Sequence, residues 1–176
     1  SADLRVTVIG NSQNQPESQD PLGLTQAQWD ANPRQADPVA TLFNTRKSVT
    51  QLQGGMALEY QWSPAAMLRV TGYGGQRQVE QYLAFAGAAA SSAGGVVDLD
   101  RDYGGVGARI IVRSTLGGQP LTLTAGVDGD RMRETRQGFV NDFGVQGALR
   151  RDEYDTVRSA DLYAEARWQA LPALAV

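Results

Sequence analysis

Asp98, Asp100 and Asp102 form a dense run of oxygen ligands, and their alternate spacing is that of the opening of a calcium-binding loop. The remainder of such a loop is missing. Tyr103 stands where the turn requires glycine, and Arg109 where a bidentate glutamate belongs. The run reads better as a solvated loop entering a strand. Asp128 and Asp130 are a second carboxylate pair, on one side of an alternating segment. Arg109 and Arg113 fall on the same side of the preceding segment, so cross-strand ion pairing is expected there rather than cation binding. Gly105-Val106-Gly107 is a fragment of a phosphate-loop pattern that lacks a third glycine and a following helix, and it carries no phosphate chemistry.

The composition excludes much else. The 176 residues contain no histidine and no cysteine. That removes disulfides, Cys/His zinc sites and histidine-based nucleophilic catalysis. Lys47 is the single lysine among 16 Lys and Arg, a poor basis for Schiff-base chemistry. With no nucleophile–base pair and no carboxylate dyad, no enzyme and no cofactor are expected. A net charge of −3 without a basic patch argues against a nucleic-acid partner.

The elements that carry these residues alternate between apolar and polar positions, the period of a strand with two unlike faces. Leu4, Val6 and Val8 oppose Asp3, Arg5 and Thr7. Between Thr45 and Trp62, Leu52, Met56, Leu58, Tyr60 and Trp62 oppose Gln51, Gln53, Glu59 and Gln61. Leu68 and Val70 continue the pattern to Gln81. From near Tyr103, Val106, Ala108, Ile110 and Val112 oppose Arg109 and Arg113. Leu121, Leu123, Ala125 and Val127 then oppose Thr122, Thr124, Asp128 and Asp130. Leu162, Ala164, Ala166 and Trp168 close the series. The fold class is all-β: an antiparallel up-and-down meander of about six strands plus a stub beyond Leu171-Pro172-Ala173.

Polar segments at 12–44, 85–95 and 134–155 read as long loops, the long connections running about 20 to 30 residues and the short ones about four. In the first loop, Thr25 and Gln28 fit a capping box for a short helix over Gln26 to Ala31, stopped by Pro33. Short turns alternating with long loops are a property of outer-membrane barrels, and Tyr60, Trp62 and Trp168 lie on apolar faces beside short turns, as an interfacial aromatic girdle would. A glycine content of 20 residues also suits barrel strands and turns better than a helical core.

Several stretches resemble TonB-dependent outer-membrane receptors of the ferric siderophore family. They are Asp20-Pro21-Leu22-Gly23-Leu24-Thr25, Asn32-Pro33-Arg34-Gln35-Ala36-Asp37-Pro38 with Thr45-Arg46-Lys47-Ser48, and Leu68-Arg69-Val70-Thr71-Gly72-Tyr73-Gly74-Gly75-Gln76-Arg77. Val96-Val97-Asp98-Leu99-Asp100-Arg101-Asp102-Tyr103-Gly104-Gly105 and Gly144-Val145-Gln146-Gly147-Ala148-Leu149-Arg150-Arg151-Asp152-Glu153 look like later loops of the same proteins. The resemblance implies that residues 1–176 are a middle segment of one large transmembrane β-barrel domain, without the plug domain or the strands that close the barrel.

The implied function is import of an iron–siderophore ligand across the outer membrane of a Gram-negative bacterium. The implied partners are the protein's own plug, TonB acting through that plug, and outer-membrane lipid and lipopolysaccharide. Iron would arrive already chelated, in keeping with the lack of His and Cys. Trp29, Tyr82, Phe85 and Tyr103 are the ligand-contact candidates. Arg69, Arg77, Arg109, Arg113, Asp128 and Asp130 are the candidates for the lumen and plug contacts, and Gly105 and Gly107 would thin the wall where a plug fits. The competing readings are a plug-less porin-type barrel and a soluble all-β binding domain.

Overall fold

The computed structural model describes residues 3–171 and 174. They form one antiparallel sheet of six strands in chain order: β1 (Asp3–Gln19), β2 (Arg46–Ser63), β3 (Ala66–Tyr82), β4 (Val96–Leu116), β5 (Gln119–Asp142) and β6 (Val145–Trp168). Strands β1 and β6 are the two edges, so the sheet is open. The stub of a further strand expected past Leu171 lies outside the described residues. No helix among the described residues is long and apolar enough to cross a membrane.

The register lines up the alternating positions of all six strands. Val6, Leu58, Val70, Ala108, Val127 and Leu162 form one continuous row, and Leu4, Tyr60, Leu68, Ile110, Ala125 and Ala164 form the next. These rows make an almost wholly apolar face toward the short-turn end, interrupted on β4 by Ser114 and at the β4–β5 turn by Gln119. Nothing among the described residues covers it: Val8 is 74% exposed, Val106 70% and Leu162 87%. An exposed apolar face running continuously across all six strands is unusual for a soluble monomer, whose largest apolar patch is about 300–600 Å². Conversely, the few buried strand positions fall mostly on the other face, including Val49, Val79, Gly107, Gly126 and Glu134.

The apolar band runs from Leu52 to Trp62 on β2 and from Ala160 to Trp168 on β6. Eight to ten residue steps of ~3.4 Å give about 27–34 Å along the strand. Beyond it, toward the long connections, both faces are polar. Three segments read as loops are strand for that reason. The first strand continues to Gln19, β4 begins at Val96, and the supposed third long loop, 134–155, is the continuation of β5 and β6 into a hairpin. Once both faces are wetted the apolar alternation vanishes, although the backbone remains paired. Phe143 and Gly144 close that hairpin with φ of 48° and 92°, the left-handed geometry of a two-residue turn, which Gly117 and Gly118 share at 62° and 77°.

The connection from β1 to β2 carries α1 (Gln26–Ala31) and α2 (Pro38–Leu42). The capping box is formed: Gln28 N–H donates to Thr25 Oγ1 at 3.3 Å and Thr25 N–H to Gln28 Oε1 at 2.7 Å. Helix α2 was not expected, although Asp37 caps it by accepting from Val39 N–H at 2.8 Å and Pro38 occupies its first turn.

The long connections are tied together by Asn141, which is fully buried. Its amide donates to the carbonyls of Phe43 (3.1 Å) and Leu83 (2.9 Å), and its oxygen accepts from Gly144 N–H at 2.7 Å. Around it Phe43 stacks on Phe143 at 5.7 Å, and the Arg46 guanidinium lies 3.5 Å from the centre of the Tyr82 ring. Asn141→Ala would strand two carbonyls and one N–H in a buried site, at a cost of about 2–3 kcal/mol. The expected result is faster amide exchange across 83–95 and 40–45 with the band strands still protected. Unchanged exchange would show that Asn141 is not the tie.

Candidate functional site

The polar face of the sheet is built from the odd positions of β1–β4 and the even positions of β5, which the register sets side by side. Toward the short turns, Arg5, Glu59, Arg69 and Arg109 form one row. Glu59 accepts from Arg69 at 3.1 Å and approaches Arg5 at 3.8 Å. Arg109 lies opposite Arg69, a like charge, and its Nε is buried with no hydrogen-bond partner.

The expected pairing of Arg109 and Arg113 with Asp128 and Asp130 does not form. The register explains this: Asp128 lies opposite Gly107 and Asp130 opposite Gly105, whereas Arg109 meets Gly126 and Arg113 meets Thr122. The two carboxylates bend over the two glycines, where an added Cβ would collide with them. Gly105 and Gly107 therefore make room for cross-strand side chains of the sheet itself. Gly126 serves the Tyr163 ring in the same way.

Further toward the long connections the polar face presents a denser cluster. Tyr73 Oη donates to Asp130 Oδ1 at 2.5 Å, and Ser159 Oγ donates to Asp130 Oδ2 at 3.2 Å. Tyr103 Oη donates to Gln53 Oε1 at 2.7 Å. The two tyrosine rings lie 6.5 Å apart, inclined at 48°. Arg101 is fixed to the buried Glu134, with Nε 2.6 Å from Oε2. Arg77 lines the same concavity, together with Gln51 and Met132. Aromatic faces beside fixed and free guanidinium groups suit a planar, oxygen-rich anionic ligand, through stacking and charge-assisted hydrogen bonds.

Of the residues singled out from sequence, Tyr103, Arg77 and Asp130 come together here. Arg69, Arg109 and Asp128 sit lower, lining a separate concavity with Tyr163. Arg113 is exposed nearer the short turns. Trp29 is exposed on α1 and Phe85 on the connection after β3, both remote from this cluster in the chain's topology. Tyr82 is 7% exposed and lies beneath Arg46, so it packs the connections and offers no open ring face. Tyr73, Gln53 and Ser159 were missed. Their signal was available in the odd–even parity of β3, β2 and β6, but only the register shows which strand positions meet.

Asp98, Asp100 and Asp102 lie on strand β4, not in a loop, all toward the face that is apolar lower down. Successive same-face positions on a strand are about 6.6 Å apart, which is why they do not converge as loop ligands do. No group of three or more acidic residues among the described ones is placed to hold a metal ion. Partial desolvation of a side chain that remains exposed, followed by the nearby charges of Glu80 and Asp100, raises the pKa of Asp98 above its ordinary 3.8. No known protein-family model matches the chain.

A carboxyl whose folded pKa is raised binds its proton more tightly in the folded state, so folding stability falls as pH rises from the ordinary value through the raised one. Asp98→Asn abolishes that loss. The variant should have the higher urea midpoint at neutral pH and converge with the parent below about pH 4. A difference that is constant with pH would contradict the assignment.

Proposed function

We propose that this chain is part of the wall of a transmembrane β-barrel, with its apolar face in lipid and its charged face toward the barrel interior. The observation that carries this reading is the inverted distribution of polarity: an uncovered apolar band opposite a face bearing Arg5, Glu59, Arg69, Arg109 and Asp128 in mid-strand. At a tilt of ~40° the band is about 21–26 Å tall, close to the ~25 Å apolar band of outer-membrane barrels. The aromatic side chains support it as well. Tyr60 and Trp62 lie 6.4 Å apart at the short-turn end, and Trp168 closes the band on β6 by donating from Nε1 to Leu116 O at 3.1 Å. Amphipathic rings of this kind favour a membrane–water boundary.

More narrowly, the barrel is that of a TonB-dependent receptor importing ferric siderophores across the outer membrane of a Gram-negative bacterium. The resemblance of the loop sequences supports this assignment. So does the Tyr73–Tyr103–Arg77 cluster, whose chemistry suits an anionic iron chelate. A plug from the same protein would fill the interior and convey the energy of TonB, and the wall would supply the interior polarity and the outer connections.

Two experiments test the two levels. In the barrel, Leu58→Arg puts a charge into lipid near the midplane and should cost about 2–4 kcal/mol of folding into vesicles. Thr71→Arg, at similar depth on the opposite face, should fold nearly as well as the parent. Equal loss in both would refute the face assignment. For transport, deletion of the encoding gene should abolish energy-dependent uptake of at least one radioiron-labelled hydroxamate, catecholate or carboxylate chelate. Unchanged uptake of all three classes, with loss of passive solute permeation instead, would favour a plug-less pore.

A further inference from the structure

Where the apolar band ends on the long-connection side, the same face carries three arginines. Arg131 and Arg158 are directly opposite one another on β5 and β6, and Arg133 is the next same-face position on β5. All three are exposed, and none is in an ion pair or a side-chain hydrogen bond. Opposite Arg131 on β4 is Gly104, which offers no side chain. The nearest carboxylate on this face is Asp102, opposite Arg133, and it forms no ion pair with it. Asp130, adjacent in sequence, is turned to the polar face and held by Tyr73 and Ser159.

Like charges directly opposite one another across a strand pair destabilise a sheet unless something neutralises them. Immediately below lie Val106, Gly129 and Ala160, which with Arg131 and Arg158 line a shallow depression. An apolar floor and unpaired guanidinium groups thus meet at one level.

We propose that Arg131, Arg133 and Arg158 bind the phosphate of a lipid headgroup in the outer leaflet, with the acyl chains of that lipid lying on the band beneath. This rests on the barrel-wall reading. Guanidinium groups match phosphate oxygens bidentately, and two arginines in register can hold one phosphate between them. The occupant is a phosphorylated lipid rather than a free anion, because the cations stand at the edge of a surface that only acyl chains can cover.

The test uses the full protein in neutral detergent and in phosphatidylcholine vesicles, with the triple variant Arg131→Gln, Arg133→Gln, Arg158→Gln and, as a control from the opposite face, Arg136→Gln. Binding of bis-phosphorylated lipid A should weaken about 10-fold or more in the triple variant and stay unchanged in Arg136→Gln. Dephosphorylated lipid A should bind the parent and the triple variant equally weakly, and millimolar inorganic phosphate should not displace the lipid. Equal lipid A affinity in the parent and the triple variant, with both inserted in vesicles, overturns this inference alone. Displacement by inorganic phosphate overturns the lipid as occupant. Failure of the parent to insert in vesicles overturns this inference and the membrane reading together.

Discussion

The constraint on which the structure depends is that an apolar sheet face must leave water while every backbone N–H and C=O keeps a partner. A soluble sheet meets it by packing a second layer on that face. Here no second layer exists among the described residues, and the apolar rows run unbroken from β1 to β6. In hydrocarbon the face needs no protein cover, but the strand edges then must be paired, which is why sheets in membranes close into barrels. The free edges of β1 and β6 belong to the same constraint: in the proposed barrel each pairs with a neighbouring strand.

The remaining features follow the two solvents. In the proposed barrel the side chains of the band that would face lipid are apolar, and the polar face can carry Arg109 and Asp128 in mid-strand because the interior of such a barrel is polar. Above the band both faces meet water, and there the chain places its charge clusters, its long paired extensions and the Asn141 tie. Strands β5 and β6 carry Tyr73's acceptor Asp130 and the second donor to it, Ser159, so in the proposed barrel the cluster sits where the wall would pass from lipid to solvent. That tie fixes the connections after β1 and β3 to the β5–β6 hairpin, so the outer end is one packed unit rather than three independent loops.

The sequence was legible where one face was apolar. Leu52 to Trp62 and Val106 to Val112 announced their strands because alternation is a strong signal when the two faces meet different solvents. Glu134 to Asp155 did not, because both faces are polar there: Arg133, Thr135 and Gln137 lie on one side, and Arg136 with the ion-paired Glu134 on the other. The capping box at Thr25 was readable because it is local. The pairing of Asp128 and Asp130 was not, because a face assignment says which side a residue takes but not which residue lies opposite. Two residues of register separate Arg109 from Asp128, and that offset decided between an ion pair and a carboxylate laid over glycine.

The most direct measurement uses the absence of cysteine in the chain. Single cysteines at Leu58, Glu59, Val70 and Thr71 of the full protein, each labelled with an environment-sensitive fluorophore, are read in vesicles containing lipid-attached quenchers. The account predicts strong quenching and blue-shifted emission at 58 and 70, and weak quenching with red-shifted emission at 59 and 71. Absence of this two-residue alternation, or quenching of all four positions by an aqueous quencher alone, would contradict it.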